Sequence, residues 1–292
     1  MAAHARMAFA EIGGELARST YLDEGGKDVA PRLRYDDGRS KSLADLGGPA
    51  LDLQTVLALH GIQHKPRTVR DGSPTQDDAR AILGAVLRDP GLATKLYEER
   101  QRLYGLKKPS EAASRPFSAS EYGLALSIQA LPESAQMNRK LYESWYKFLG
   151  GEWLEEWTGA KLHGLGQTPP SEIVVGVNAF RGEAHANLEV DVAAVRGHRS
   201  YFISCTTDTT KPVCKSKLFE VAVRSRQLGG DLARAALVCL ADDKTVVALQ
   251  QDIDDLWGAT NTTRVFGLSD LRAWSDCDDR PNTHALQAWM ES

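Results

Sequence analysis

The sequence predicts an α/β protein, with a helical middle segment followed by a mixed β-sheet flanked by helices. Two rhythms predict it. From Thr75 to Gly150 apolar residues recur at helical spacing, and beyond that strand-like apolar runs alternate with helical ones. The size agrees: 292 residues, 42% hydrophobic and 25% charged, suit one large or two ordinary domains and argue against disorder.

Residues 1–62 mix helix and strand. The Ala-rich start reads as a helix ending at Gly13-Gly14, Arg18 to Asp23 as an extended piece, and Arg32 to Tyr35 as a strand. A helix is expected from Asp52 to His60, with Leu53, Val56, Leu57 and Leu59 on its apolar side and Asp52 as its cap. A unit this short that opens on a helix is expected to lack preceding strands or to borrow them from a partner. Three helices follow, Gln76 to Leu87, Leu92 to Tyr104 and Ser120 to Ala130, with a polar, proline-bounded connector at Lys107 to Pro116. The next helix carries Leu141, Tyr142, Trp145, Tyr146, Phe148 and Leu149 and stops at Gly150-Gly151. Its aromatic stripe reads as core rather than as a base-stacking surface.

From about residue 138 onward the rhythm changes. Ile173 to Val177, Leu188 to Val195 and Ser200 to Thr206 are strand-like; Lys215 to Leu228 is helical, and Ala235 to Leu240 reads as a buried strand. Lys244 to Trp257 is helical, Arg264 to Phe266 a short strand, and the end helical. Strands that bracket a helix and lead into further αβ units give a mixed sheet.

Several function classes drop out on composition. Lys plus Arg is 35 against 39 Asp plus Glu, a net charge of -4, so nucleic-acid binding needs a local patch. Lys211, Lys215, Lys217, Arg224, Arg226 and Arg234 are the densest such strip. No run is long enough to span a membrane. Cys205, Cys214, Cys239 and Cys277 lack CxxC spacing and read as reduced packing thiols; the histidines lack ligand spacing, so zinc is not expected. The glycine pairs read as turns, and none builds a phosphate loop.

Asn187 to Ala193 carries the chemistry. Strand alternation places Leu188, Val190 and Val192 on one face and Glu189 and Asp191 on the other. Two carboxylates on one face are either a solvated surface or a pair in need of a cation. The neighbourhood favours the second. Tyr201 to Thr207 is the natural hairpin partner, presenting Ser204 and Thr206, and Glu155 and Glu156 lie at the end of the aromatic helix or just after a break in it. Such a set suits an oxygen-liganded Mg²⁺ or Mn²⁺, which activates water and clamps a phosphodiester.

Gly151 to Glu155, Glu189 to Val192, Ile203 to Thr207, Lys217 to Glu220 and Leu228 to Gly230 together resemble the nuclease half of the CRISPR ancillary nucleases activated by cyclic oligoadenylate. Those proteins join a CARF sensor, a Rossmann-like domain, to a PD-(D/E)xK restriction-endonuclease-like domain. More weakly, Leu16 to Asp23 and Gly48 to Gly61 resemble the back end of a CARF domain. The resemblance implies three parts: residues 1–62 as the C-terminal portion of a CARF-like domain, 63–137 as a helical linker, and 138–292 as the nuclease-like domain. It further implies that Glu155 is the helix carboxylate, Asp191 the central metal ligand and Glu189 a supporting acid.

The acid and lysine of the (D/E)xK half-motif fall on Ser204 and Thr206, so the sequence departs from the pattern there. A hydroxyl can orient water but cannot neutralise phosphorane charge as an ammonium does. Lys217 on the following helix is the first candidate to replace it, sharing a face with Glu220 and Arg224, with Lys211 and Lys215 as alternatives. An ordinary solvated face fits those lysines too. Arg196, His198 and Arg199 form a basic turn beside the expected site; they suit phosphate contact, and equally a plain β-turn.

The implied function is a metal-dependent endonuclease cleaving DNA or RNA in the prokaryotic cytoplasm, within type III CRISPR antiviral defence. The implied partners are a cyclic oligoadenylate activator and a second copy of the chain in a homodimer. The ligand-binding strand and Gly-rich turn expected early in a CARF domain are not found, so Met1 is expected to be a late start and no nucleotide contact is assigned. The alternative, favoured by the missing acid and lysine, is a nuclease-fold module that binds without cutting. An unrelated α/β ligand-binding protein would show no metal dependence.

Overall fold

The computed structural model describes residues 6–12, 15–21, 32–35, 40–42, 51–65, 67, 71–104, 119–130, 139–165, 169–181, 187–197, 199–258, 262–275 and 282–291. Its backbone divides into two units, Met1–Ala50 and Leu51–Ser292.

The first unit holds β1 (Arg6–Ile12), β2 (Glu15–Tyr21), β3 (Arg32–Tyr35) and β4 (Ser40–Ser42), in the sheet order β1-β2-β3-β4. Over Arg6–Ile12 the Ala-rich start, expected as a helix, is therefore a strand. Arg6 pairs with Tyr21 and Ile12 with Glu15, and these cross-strand pairings outweigh the helix propensity of Ala8 and Ala10. All three pairings are antiparallel, whereas a Rossmann-like segment implies parallel strands.

The second unit runs in the order α1 (Leu53–Leu59), β5 (Gln63–Lys65), α2 (Gln76–Arg88), α3 (Gly91–Tyr104), α4 (Arg139–Lys147), α5 (Trp153–His163), β6 (Glu172–Phe180), β7 (Asn187–Arg196), β8 (Arg199–Thr206), α6 (Lys211–Gly229), β9 (Arg234–Cys239), α7 (Asp243–Trp257), β10 (Thr263–Phe266), α8 (Leu268–Trp274) and α9 (His284–Glu291). Its mixed six-stranded sheet has the order β10-β9-β8-β7-β6-β5. The pairs from β5 to β8 are antiparallel; β8, β9 and β10 run parallel, with α6 and α7 as the intervening helices.

Most expected elements are found, with differences that have local causes. The Asp52 carboxylate accepts the Thr55 N–H at 2.6 Å and starts α1. α1 and β5 go with the larger unit rather than with residues 1–50, because Leu53 and Leu57 are buried against Val177, Val190 and Phe202, and Gln63 pairs with Phe180. The helix expected over Ser120 to Ala130 is two 3₁₀ turns, Ala119–Tyr122 and Ser127–Ala130. Buried Asp78 explains the break: having capped α2 with Thr75, it also accepts the Ser127 N–H at 2.5 Å and the Ser127 hydroxyl at 2.6 Å. α6 begins at Lys211, earlier than expected, with Pro212 in its first turn.

Both faces of the sheet are covered. On one, α2, α4, α5, α8 and α9 bury Val192, Ala194, Tyr201, Ile203, Ala236, Val238 and Phe266. On the other, α1 covers Val177, Val190 and Phe202, while α6 and α7 cover Leu237, Cys239 and Val265. Aromatic rings hold the first face: Trp274 stacks on Trp157 at 6.3 Å between ring centroids and meets Phe266 edge-on at 4.9 Å. The aromatic stripe is core, as expected, with Trp145, Phe148 and Leu149 buried. Trp274→Ala, which removes the ring joining α5, β10 and α8, is expected to cost about 3–5 kcal/mol. Guanidinium unfolding midpoints of wild type and variant measure this, and a cost below about 1 kcal/mol would contradict the packing described.

Candidate active site

Two interruptions of regular structure bring acids together. The aromatic helix α4 runs into a π-type turn, Phe148–Glu152, kinked at Gly151 (φ 146°), and α5 restarts with Glu155 and Glu156 in its first turn. These acids thus lie after a break in the helix, one of the two placements the sequence allows.

The second interruption lies in β7. Its register with β6 is continuous, with Val175 opposite Val192 and Val177 opposite Val190. Yet Val192 packs in the core beneath α5, and Val190 in the core on the other face. The alternation inverts between them, at Asp191 and at Gly176 across from it, whose φ of 68° is open to glycine. Leu188 and Val190 therefore share a face as expected, and Val192 does not. On the β8 side the ladder ends at Val192 opposite Ile203. Beyond it the Asp191 carboxylate replaces a backbone acceptor: Oδ2 receives the Cys205 N–H at 2.6 Å and the Ser204 hydroxyl at 2.9 Å.

Glu155, Asp191, Glu189, Thr206 and Lys217 line one cleft of about 720 Å³. Burial pushes the Glu155 carboxyl well above its ordinary value, and the charges of Asp191 and Glu152 push it further. Burial also raises Asp191, against the pull of the Cys205 and Ser204 donors and of the Lys217 ammonium. Lys217 lines a smaller pocket with Asp191 and Ser204 as well, its Nζ 3.4 Å from Glu220. Lys211 and Lys215 are engaged elsewhere, both on Asp252 of α7, at 3.2 and 2.9 Å. Thr206 Oγ1 accepts the Asp208 N–H at 3.2 Å, which leaves its own proton to donate.

Other expected features are placed differently. The basic turn at Arg196 and Arg199 closes the β7–β8 hairpin at the end away from Asp191, roughly 16 Å along the strand at about 3.3 Å per residue, and Arg196 pairs with Glu291 at 3.3 Å. His198 lies outside the described residues. The expected basic strip is largely paired off, with Arg224 on Glu220 at 2.6 Å and Arg226 on Asp231 at 4.0 Å, while Arg234 is buried. Burial pushes the Cys205 thiol well up, and the charges of Asp191 and Glu155 add to that, which disfavours the thiolate. Cys214 and Cys239 are buried packing residues; Cys277 lies outside the described residues.

The donor set tests the fit of a metal. Glu155 and Asp191 present hard oxygens whose charged forms lack full compensation, as suits a divalent ion of the Mg²⁺ or Mn²⁺ type. The expected trio of Glu155, Glu189 and Asp191 is not a ready-made cage, since Glu189 is exposed and no cluster of three such ligands occurs among the described residues. Magnesium-type sites commonly rest on one or two carboxylates, with water and substrate phosphate completing the shell. The two inner acids fit that arrangement.

The sequence reading missed four contributors. Arg67 pairs with Glu152, and with Glu156 at 3.1 Å, which draws both toward the flank of α5. Tyr97 and Arg100 of α3, with Lys147, form the outer wall of the cleft. No local motif marks these residues, because they are distant in sequence from the hairpin.

Residues 142–274 match the Card1-like endonuclease domain family. In structure the chain is similar to protein VC1899 from Vibrio cholerae, with 19% identity over 89% of this chain and 67% of that one and a TM-score of 0.54. It is also similar to Can2 from Sulfobacillus thermosulfidooxidans, solved in complex with cyclic tetra-adenylate, with 14% identity, the same coverage of each chain and a TM-score of 0.51. These likenesses concern the fold. No curated protein matches the chain in sequence.

The raised carboxyls predict a pH dependence. Glu155 and Asp191 start from ordinary values of 4.5 and 3.8 and titrate higher in the fold, so above those values the native state holds more protons than the unfolded one. Metal-free stability is therefore full at low pH and falls as pH rises through the raised values. Glu155→Gln is expected to raise the metal-free melting temperature by about 2–4 °C at pH 8, the shift that roughly 1 kcal/mol gives in a domain of this size, and to leave it unchanged at pH 4. Thermal melts at the two pH values decide it, and an equal effect at both would contradict the shift.

Proposed function

We propose that the chain is a divalent-metal-dependent endonuclease that cleaves DNA or RNA phosphodiester bonds when a cyclic oligoadenylate is bound, within type III CRISPR defence in the prokaryotic cytoplasm. The observation that carries this reading is the meeting of Glu155, Asp191 and Lys217 in one cleft, inside a segment that matches an endonuclease domain. Can2, a fold relative, was solved with cyclic tetra-adenylate, which supports the activator class. Sensing is assigned to the part N-terminal to the endonuclease domain, and coupling to a homodimer in which activator binding favours the cutting arrangement.

Glu155 and Asp191 are assigned as the ligands of Mg²⁺ or Mn²⁺, with Glu189 as an outer acid. Bound there, the ion supplies positive charge that makes water easier to deprotonate and clamps the phosphodiester. The chain's own groups do the rest. Ser204 and the Cys205 N–H fix one oxygen of Asp191, so its other oxygen keeps its aim without a search over rotamers. The Lys217 ammonium faces the same carboxylate and is assigned to the charge that develops on the phosphorane. Thr206, held as an acceptor by Asp208, is assigned to donate to a phosphate oxygen.

Supercoiled DNA and single-stranded DNA and RNA, incubated with Mn²⁺ and cyclic oligoadenylates, test the proposal. Asp191→Ala and Glu155→Ala are expected to lower cleavage at least ~100-fold, Lys217→Ala about 10²–10³-fold, and Lys215→Ala less than about twofold. Full activity in Asp191→Ala, or no cleavage by the wild type with any activator, would overturn it; the second result would leave a binding module.

A further inference from the structure

The outer wall of the cleft has no role in holding the ion, yet it is built. On α3 Tyr97 is 45% exposed and lines the same cleft as Glu155 and Asp191. Behind it lies Arg100, its guanidinium 5.8 Å from the centre of the Tyr97 ring and 4.7 Å from that of Tyr146. A cation held between two rings fixes both Arg100 and Tyr97 as a flat, pre-ordered surface. The chain makes room for it: a Cβ on residue 150 would lie 2.4 Å from Arg100 Cδ and would displace the guanidinium from this position. Arg100 Nε is buried without a hydrogen-bond partner.

Charge and shape specify what such a wall receives. The inner cleft is acidic, and Lys147, Lys217 and Arg100 stand around it. A phosphate drawn inward leaves the attached base outside, against the nearest flat surface. Aromatic rings stack on any nucleobase, and an arginine behind the ring strengthens the platform.

We propose that Tyr97, braced by Arg100 and Tyr146, is a stacking platform for the nucleobase next to the scissile phosphate, supplied by α3 from outside the matched endonuclease segment. The inference rests on the endonuclease reading and adds to it a residue for substrate binding.

Cleavage of an intact oligonucleotide is compared with that of one made abasic next to the cut, using the full chain with activator and Mn²⁺. Tyr97→Ala is expected to raise KM for the intact strand about tenfold with kcat within twofold, and Tyr97→Phe to behave as wild type. The abasic strand is expected to show no difference between wild type and Tyr97→Ala. Unchanged KM, a loss confined to kcat, or an equal loss on the abasic strand would each overturn the platform. Stacking is also read without turnover, by the fluorescence of 2-aminopurine at that position in Ca²⁺ buffer. Wild type and Tyr97→Phe quench it, and Tyr97→Ala does not. If the wild type cuts nothing, the endonuclease reading fails while this quenching still reports on Tyr97; no quenching by the wild type overturns the platform itself.

Discussion

The site depends on one exchange of acceptors: Asp191 Oδ2 takes the Cys205 N–H that a β-ladder would give to a backbone carbonyl. A buried N–H must find an acceptor, and a carboxylate is a stronger one than an amide. That bond compensates the opening of the β7–β8 ladder, and it anchors a charge that burial alone would push out of its ionised form. The inversion of β7 at the same residue has a second consequence. Because the strand turns over there, the carboxylate sits where groups from both helical layers reach it. Glu155 comes from α5, which packs on one face of the sheet, and Lys217 from α6, which packs on the other.

Acids crowded in this way store unfavourable electrostatics in the metal-free protein. Glu155, Asp191, Glu152 and Glu156 are all raised by burial, and Arg67 offsets this only in part for the three glutamates. The arrangement sorts them. Arg67 pairs with Glu152 and Glu156, while Glu155 makes no ion pair among the described residues and its carboxyl is raised most strongly. A site whose uncompensated charge is concentrated on two inner oxygen donors binds a divalent ion more strongly than one whose charge is spread over exposed acids.

Much of this was legible in the sequence, for identifiable reasons. The strands after residue 180 are legible to within about a residue, because a sheet buried on both faces leaves long apolar runs such as Ala235 to Leu240. In contrast, α5 is not read as a separate helix, and α6 begins four residues before its expected start at Lys215. The acids on β7 and the lysines of α6 stood out by spacing. What the sequence hid was non-local. Nothing about Val190 and Val192 announces that they enter different cores, since that follows from Gly176 on a neighbouring strand. The Ala-rich β1 misled because propensity is a weak prior against cross-strand pairing. Pattern ranks Lys217 ahead of Lys215 by the face it shares with Glu220 and Arg224, and the position of Asp252 on α7, which pairs with Lys215, separates them in space.

The departures at Ser204 and Thr206 then take on a physical logic. A carboxylate at residue 204 would set a second negative charge within hydrogen-bond reach of Asp191 Oδ2, tolerable only while a cation lies between them. Serine turns that repulsion into a bond of 2.9 Å, so Asp191 is oriented before any ion arrives. The cost is one ligand, which water and substrate can replace in a magnesium-type shell. The ammonium proposed at Lys217 follows the same course. A lysine at residue 206 would extend from the short end of β8, whereas on α6 it is braced by Glu220 and still faces Asp191. In the proposed reaction the charges that act on phosphate thus come from Glu155, Asp191 and Lys217, which line one cleft.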